Sequence, residues 1–371
     1  MIMKLIQAKR DELLKPLQAV SGIVEKRHTL PILSNVLFSR IEDHLHLLAT
    51  DLEIQVSTRF SSPKNDSENY QITVSARKLQ DILRALPEKA DVALEAQNAR
   101  LLVRAGKSRF TLQTLPAEDF PKLAQAGSAG AKIKLTQKAL RGLLLQVQYA
   151  MAQQDIRYYL NGVLLVLGEE KLKAIATDGH RLAYASIKQA HKGDTQEAIL
   201  PRKAVQELIK LLSDTEEEVQ VDFGTSQINF RLGEVELVTK VIDGKFPDYT
   251  RVIPAGYQMG FEIGREQLQQ ALQRVAILSN EKFRGVRITL TEGHLRIACT
   301  NTEQEEAFEE LEVAYSAAPL DIGINVTYLL DVLNNGTSEK VTCSFGDANS
   351  SVLITIAEDS DFRYVVMPMR I

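Results

Sequence analysis

One short motif occurs three times in the chain, and this repeat decides the fold. The motif reads LLATDLE at residues 47–53, AIATDGH at 174–180 and IACTNTE at 297–303. Its Thr-Asp or Thr-Asn pair begins at residues 50, 177 and 300, so the spacing is close to one third of the 371-residue length. Because a fixed long period is the signature of a repeated structural unit, the sequence predicts three copies of one domain.

Two further markers recur in the same order and at a similar spacing. A Phe-Pro or Met-Pro pair occurs once in each third of the chain, at residues 120–121, 246–247 and 367–368. A helix-like segment follows a turn in each third and starts at residue types common at helix starts, Ser75, Pro201 and Asn325. Because three unrelated markers share one period, we predict domains at residues 1–129, 130–256 and 257–371.

Each copy has the same predicted internal order. A short strand precedes an amphipathic helix, and strands, a second helix and further strands follow. The six predicted helices cover residues 7–19, 75–86, 136–147, 201–212, 264–275 and 325–335. Two helices beside antiparallel strands predict an α+β fold in which the helices cover one face of the sheet in each copy.

The composition is that of an ordinary globular protein. Hydrophobic residues make up 44% and charged residues 25% of the chain. No apolar run approaches the ~20 residues of a membrane-spanning helix, and the N-terminal residues lack the apolar core of a secretory signal. Cys299 and Cys343 are far apart, so neither a disulfide framework nor a cysteine zinc site is expected. We expect a cytoplasmic protein without membrane contact, metal ion or other cofactor.

Charge is distributed unevenly, although the formal net charge is only −4. The six predicted helices carry a net charge of +7, and the remaining residues carry −11. Lys and Arg favour helices, so a solvated basic face is one interpretation. The other is that the helices form a positive surface for a polyanion, whose phosphates they would contact without reading sequence.

A second charge asymmetry separates the first copy from the third. Residues 100–109, RLLVRAGKSR, contain four bases and no acid, whereas residues 303–312, EQEEAFEELE, contain six glutamates and no base. A solvated acidic face is one interpretation. Complementary ends on one chain also favour head-to-tail association into a closed ring or an open filament. Phe110 and Leu112, on a predicted strand beside the basic run, would pair across such a junction.

Six longer motifs occur in a fixed order. They read TLPIL (29–33), QDIRYYLNG (154–162), TDGHRL (177–182), DGKFPDY (243–249), SNEKFRGVR (279–287) and YVVMPMR (364–370). Together they resemble the family of bacterial DNA polymerase III beta subunits, the sliding clamps. The resemblance runs from about Met3 to Ile371.

The resemblance implies a non-catalytic processivity factor of a DNA polymerase holoenzyme, built from three clamp domains. Two chains would form a head-to-tail homodimer, a six-domain ring with the helices inside, which encircles duplex DNA without sequence specificity. The implied DNA-facing residues are Arg27, Arg77, Gln153, Gln154, Tyr158, Tyr159, Arg202 and Lys203. The implied dimer interface contains Arg100, Lys107, Arg109, Phe110, Leu112, Ile277, Leu278, Glu303, Glu305, Glu306 and Glu309.

The resemblance also implies a groove between copies two and three that binds partner peptides of the Gln-Leu-x-Leu-Phe kind. The implied partners are the replicative polymerase catalytic subunit, the clamp loader, translesion polymerases, ligase and mismatch-repair factors. Apolar and methionine side chains suit such a groove because they adapt to different ligands. Its implied residues are Leu160, Thr177, Gly179, His180, Arg181, Leu182, Pro247, Arg251, Val252, Phe283, Asn325, Tyr328, Val365, Met367, Pro368, Met369 and Arg370.

An enzyme, a metal site and a peptide-binding scaffold are the alternative interpretations of the sequence. An enzyme would use Asp178 and His180 as an acid–base pair, but no second acidic or nucleophilic cluster is identifiable, and the repeated Thr-Asp is typical of a strand-end turn. His44 and His46 would supply only two ligands to a metal ion. The sequence has no phosphate-binding loop of the form Gly-x-x-x-x-Gly-Lys-Ser/Thr. A repeat scaffold that binds peptides without encircling DNA would differ from a clamp in its retention on closed circular DNA.

Overall fold

The computed structural model describes residues 2–25, 30–41, 44–61, 70–124, 130–357 and 359–370. Within these residues lie six α-helices: α1 (Arg10–Ser21), α2 (Ala76–Ala85), α3 (Gln137–Leu145), α4 (Arg202–Leu211), α5 (Arg265–Ala276) and α6 (Val326–Asn335). Each matches a predicted helix. The first starts later than predicted because residues 7–9 continue the first strand and pair with residues 91–93.

Among the described residues the strands form three series of eight. Copy 1 contains β1 (Ile2–Lys9), β2 (Asn35–Ile41), β3 (His44–Thr50), β4 (Ile54–Ser61), β5 (Gln71–Ser75), β6 (Asp91–Gln97), β7 (Arg100–Ala105) and β8 (Ser108–Leu115). Copy 2 contains β9 (Lys132–Thr136), β10 (Gly162–Leu167), β11 (Lys171–Thr177), β12 (Arg181–Lys188), β13 (Gln196–Pro201), β14 (Glu218–Phe223), β15 (Gln227–Leu232) and β16 (Val235–Lys240). Copy 3 contains β17 (Met259–Gly264), β18 (Gly285–Thr291), β19 (His294–Thr300), β20 (Glu306–Glu312), β21 (Leu320–Asn325), β22 (Lys340–Phe345), β23 (Val352–Ile356) and β24 (Asp359–Val366).

The predicted α+β fold with two helices per copy is confirmed. Each copy runs in the order strand, helix, four strands, helix, three strands. The sequence pattern did not resolve all eight strands, because β5, β13 and β21 lead directly into helices and merge with their apolar pattern.

The described residues fold as two compact units. The first comprises Met1–Lys138 and Gln206–Val241. Its antiparallel sheet has the order β1-β6-β7-β8-β5-β2-β3-β4-β16-β15-β14-β9. Within it β4 of copy 1 pairs with β16 of copy 2, and Gln55 lies opposite Val238.

The second unit comprises Ala139–Val205 and Ile242–Ile371. It contains one sheet in the order β13-β10-β11-β12-β24-β23-β22-β17 and another in the order β20-β19-β18-β21. Here β12 of copy 2 pairs with β24 of copy 3, and Leu182 lies opposite Val365. The two units do not coincide with the three copies, because the middle copy contributes four strands to each unit.

The same rule of strand pairing therefore joins successive copies. The eighth strand of one copy, β16 or β24, pairs with the fourth strand of the preceding copy, β4 or β12. In the part of the chain that the structure describes, two strand edges are left over by this rule. Residues 108–113 of β8 pair on one side with β7, and β20 pairs on one side with β19.

The described helices are all too short or too polar to cross a membrane.

Candidate functional site

A cavity of about 240 Å³ lies within the second unit, beside the β12–β24 pair. Its floor is apolar: Leu160, Leu182 and Val365 are almost fully buried and pack in one cluster with Phe246. The β12–β24 ladder fixes this floor because it places Leu182 directly opposite Val365. Burying one leucine or phenylalanine side chain contributes roughly 1.5–3 kcal/mol, so this cavity suits apolar side chains of a ligand.

Ten of the predicted groove residues line this cavity. They are Leu160, Thr177, Gly179, His180, Arg181, Leu182, Pro247, Val252, Val365 and Met367. Four lining residues were not assigned to the groove from the sequence, namely Arg157, Tyr159, Phe246 and Tyr249. All four stand in or next to the quoted motifs QDIRYYLNG and DGKFPDY, and their closeness to assigned residues was the available signal.

The other predicted groove residues do not line the cavity. Arg251 is exposed and forms an ion pair with Asp248 at 3.0 Å, and Phe283 is exposed. Asn325 caps α6, because its side-chain oxygen accepts a hydrogen bond from the Thr327 backbone N–H at 2.9 Å. The remainder are Tyr328, Pro368, Met369 and Arg370, none of which contributes to the cavity lining.

The turn between β11 and β12 forms one rim of the cavity. The Thr177 hydroxyl donates to the Arg181 carbonyl at 2.6 Å, and Asp178 Oδ1 accepts from the backbone N–H groups of His180 and Arg181. In copy 1 the Thr50 hydroxyl likewise donates to a carbonyl four residues on, at 2.8 Å. The repeated Thr-Asp therefore closes a strand-end turn, as predicted, and Asp178 is engaged in that turn.

Arg157 fixes the same turn from the other side. Its guanidinium donates to both carboxylate oxygens of Asp155, at 3.0 and 2.8 Å, and to the Asp178 carbonyl at 3.2 Å. These hydrogen bonds lower the pKa of Asp155 to about 2, so this carboxylate is ionised at neutral pH. Gly179 has a φ of +90°, and a side chain there would begin 3.0 Å from the Arg157 guanidinium nitrogens. A glycine is required at this point of the rim.

The predicted DNA-facing residues fall into three groups, apart from Arg27, which lies outside the described residues. Gln153, Gln154 and Tyr158 are exposed in the segment before β10, while the neighbouring Tyr159 is half-buried and lines the cavity. Arg77 is exposed on α2.

Arg202 and Lys203 form the third group, at the start of α4, and both are half-buried. The Arg202 guanidinium donates to the carbonyls of Met151 and Ala152, at 3.1 and 3.4 Å. Its side chain is therefore bound to the protein itself.

The predicted dimer residues lie on and near the β8 and β20 edges that the pairing rule leaves over. Arg100, Lys107 and Arg109 are exposed, Phe110 is half-buried and Leu112 is buried. In copy 3 the exposed or half-buried members are Ile277, Leu278, Glu303, Glu305 and Glu306. Ile277 is 76% exposed.

Glu309 differs from the other predicted acidic residues. Its carboxylate forms two hydrogen bonds with the Arg274 guanidinium in the same chain, at 2.6 and 3.0 Å. The hydrogen bond and charge of Arg274 lower the pKa of Glu309. Arg274 therefore already neutralises this carboxylate within one chain.

The described residues contain no cluster of three or more His, Cys, Asp or Glu side chains able to hold a metal ion. The His44 and His46 rings are 6.4 Å apart, and burial together with the His44 charge lowers the pKa of His46.

Comparison with known proteins shows similarity along nearly the whole chain. Three family profiles match, described as the N-terminal domain (residues 3–124), central domain (134–248) and C-terminal domain (250–370) of DNA polymerase III beta subunit. The chain is 47% identical to the beta sliding clamp of Pseudomonas putida and 45% identical to that of Escherichia coli K12, over 98% of each protein. The crystal structure of a sliding clamp from Pseudomonas aeruginosa bound to griselimycin is similar, with a TM-score of 0.95, 45% identity and complete coverage of both chains.

Proposed function

The chain belongs to the DNA polymerase III beta subunit family, the beta sliding clamps, and on this premise we propose that two copies close head to tail into a ring around duplex DNA. As a member of this family it is a processivity factor with no catalytic role. We propose that the protein acts in the cytoplasm. The observation that carries it is the pair of strand edges, on β8 and β20, that the pairing rule between copies leaves over.

Extending that rule to a second chain pairs β8 with β20, and we take the register from the β4–β16 junction. The threonine of the repeated motif pairs with the fourth strand in every copy. The pairs are Thr50 with Gln55, Thr177 with Leu182 and Thr300 with Glu306, so Gln55, Leu182 and Glu306 occupy equivalent positions. In the β7–β8 hairpin, Ser108 belongs to the pair next to the turn, and Thr111 lies three residues after it. In the β15–β16 hairpin, Val235 belongs to the pair next to the turn, and Val238 lies three residues after it. Since Gln55 pairs with Val238, Glu306 would pair with Thr111 of the second copy.

This register makes the junction complementary in charge. It places Lys107 opposite Glu310 and Arg109 opposite Phe308 on one face of the extended sheet. Exposed ion pairs contribute only about 0–1 kcal/mol each, so the ladder and apolar contacts supply most of the affinity. The charges then decide which edges meet, which gives the ring its polarity.

The helices are the proposed DNA-facing surface. In α2 the apolar residues Ala76, Leu79 and Leu83 are buried, while Arg77 and Lys78 are exposed on the opposite face. Basic side chains on such a face attract the phosphate backbone of DNA without distinguishing bases. A closed ring that contacts DNA in this way slides, since no contact favours one position over another.

Charge reversal on α2 is expected to weaken DNA binding. The double variant Arg77→Glu, Lys78→Glu should reduce affinity for duplex DNA about tenfold at low salt and flatten its salt dependence, because fewer counterions are released. Fluorescence anisotropy of labelled duplex DNA across a salt series measures both quantities. The matched control is Lys188→Glu, Lys192→Glu, which makes the same charge change at exposed positions outside the helices. An equal loss in the control would show that net charge alone decides binding.

The cavity beside β12 and β24 is the proposed partner site. We assign it to extended peptides that carry leucine and phenylalanine side chains, of the Gln-Leu-x-Leu-Phe kind. Such peptides would come from the polymerase catalytic subunit, the clamp loader, translesion polymerases, ligase and mismatch-repair factors. The apolar floor and the adaptable Met367 side chain support this assignment.

Topological retention tests the proposed function as a whole. Protein loaded by its cognate clamp loader onto nicked circular duplex DNA should stay bound through gel filtration and leave when the circle is cut. A peptide-binding scaffold that does not encircle DNA would show the same weak retention on circular and linear molecules, and that result would overturn the ring.

A further inference from the structure

The Arg181 side chain holds together three segments that meet behind the cavity. Its side chain is only 10% exposed. Nε donates to Asp178 Oδ2 at 3.1 Å, Nη1 to Asp331 Oδ2 at 2.5 Å and Nη2 to the Tyr149 carbonyl at 2.6 Å. These partners belong to the β11–β12 turn, to α6 and to the segment after α3. One planar group thus joins copies 2 and 3 within the second unit.

The guanidinium has little capacity left for a ligand. A guanidinium has five N–H donors, and Nη1 also donates to the Tyr364 hydroxyl at 3.4 Å, so four of the five are used. Its plane lies over the Tyr328 ring, 4.5 Å from the ring centroid. A peptide could therefore bond only the one remaining donor on Nη2, and any further hydrogen bond would have to break an existing contact with Asp178, Asp331, the Tyr149 carbonyl or the Tyr364 hydroxyl.

Arg181 lines the cavity together with its neighbours in the chain, whereas the partners of its guanidinium lie outside the cavity. Asp331, Tyr149 and Tyr364 do not contribute to the lining, but His180 and Leu182 do. The His180 carbonyl accepts a hydrogen bond from the Met367 backbone N–H at 2.9 Å. A movement of the Arg181 backbone therefore shifts the rim and the Met367 wall together.

We propose that Arg181 is a positioning residue of the peptide groove, whose guanidinium fixes the β11–β12 turn against α6 rather than forming hydrogen bonds to the bound peptide. The proposal rests on the proposed function of the cavity as the peptide site. If Arg181 recognised the peptide directly, peptide affinity would not depend on Asp331, which the peptide would not reach. If Arg181 positions the turn, replacing Asp331 should weaken peptide affinity as well.

Lysine is an informative replacement at this position. It keeps the positive charge but presents one compact ammonium group, which cannot span Asp178, Asp331 and the Tyr149 carbonyl at once. We expect Arg181→Lys to weaken binding of a labelled Gln-Leu-x-Leu-Phe peptide about tenfold, with Asp331→Asn weakening it several-fold. Because the two side chains act as one unit, the double variant should bind about as weakly as Arg181→Lys alone.

Arg265 provides the matched control. Its guanidinium is similarly buried, at 16% exposure, and donates to the carbonyls of Ser338 and Leu333 at 2.9 and 3.0 Å. None of these residues lines the cavity. Arg265→Lys should lower the thermal unfolding midpoint as Arg181→Lys does, yet leave the peptide dissociation constant unchanged.

Fluorescence anisotropy with the full chain, at a temperature where every variant is folded, separates the outcomes. If the unaltered protein does not bind the peptide, the proposed partner site is wrong. If it binds and Asp331→Asn has no effect while Arg181→Lys does, Arg181 contacts the peptide directly and the positioning role is overturned. Equal losses for Arg181→Lys and Arg265→Lys would also overturn it, since general destabilisation would then explain both.

Discussion

Glu305→Lys combined with Glu306→Lys is expected to convert the dimer into single chains at about 1 µM, where the unaltered protein stays dimeric. The reason is the proposed register, which places Glu306 opposite Thr111 and next to Arg109 of the second copy. Lysines at these positions face the basic run instead of complementing it. Like charges across an interface cost several kcal/mol, and each ring contains the junction twice, so a loss of about 100-fold or more in dimer affinity follows.

Molar mass in solution measures this directly. Light scattering after size exclusion should give 41.4 kDa for the double variant and twice that mass for the unaltered protein. The control is Glu169→Lys, Glu170→Lys, which reverses an equally exposed pair of glutamates in the turn between β10 and β11. If the control dissociates as well, net charge weakens the dimer, and if neither variant dissociates, β20 is not part of the junction.

The repeat was the strongest signal in the sequence, and it predicted much of the fold. The Thr-Asp motif marks a strand-end turn in copies 1 and 2 because its hydrogen bonds are local, between residues at most four apart. Local chemistry of this kind is readable from sequence. The helices were predictable for the same reason, since their apolar spacing reflects one buried face, as in α2.

Hydrogen-bond partners that are far apart in the chain could not be predicted from the sequence. Arg202 and Glu309 each carry a charge that patterning assigned to an external partner, but their side chains bond Met151 and Arg274 of the same chain. These contacts join residues 35 or more positions apart, and no periodicity encodes them. Arg157 was missed as a lining residue for the same reason, because Asp155 and the distant Asp178 carbonyl together place it.

The two compact units also could not be predicted. Repeat spacing predicts three copies, but the contacts group strands by pairing, and β16 pairs with β4 while β12 pairs with β24. This pairing rule, once seen, explains why β8 and β20 are left over. The charges of residues 100–109 and 303–312 were visible in the sequence, and the edge geometry supports the pairing proposed for them.

Removal of residues 367–371 is expected to weaken peptide binding strongly while leaving the fold intact. The β12–β24 ladder ends with the pair of Arg181 and Val366, so the deletion removes no sheet pairing. It does remove the Met367 side chain from the cavity wall and the hydrogen bond from the Met369 backbone N–H to the Gly323 carbonyl at 2.8 Å. Micromolar affinity corresponds to about 8 kcal/mol, and we expect a loss of about 100-fold, or ~2.7 kcal/mol.

Met367→Glu tests the same wall with a single side chain. Met367 is 48% exposed, so glutamate is compatible with the fold, yet it places a charge beside the leucine and phenylalanine side chains of the peptide. The matched control is Ile41→Glu on β2, where an apolar side chain is 50% exposed outside the groove. Anisotropy with the labelled peptide should show weaker binding for Met367→Glu alone. Full affinity in both the truncated chain and Met367→Glu would mean that the peptide does not use this cavity. Retention on circular DNA would still be explained by the ring, because ring closure depends on β8 and β20 and not on the cavity.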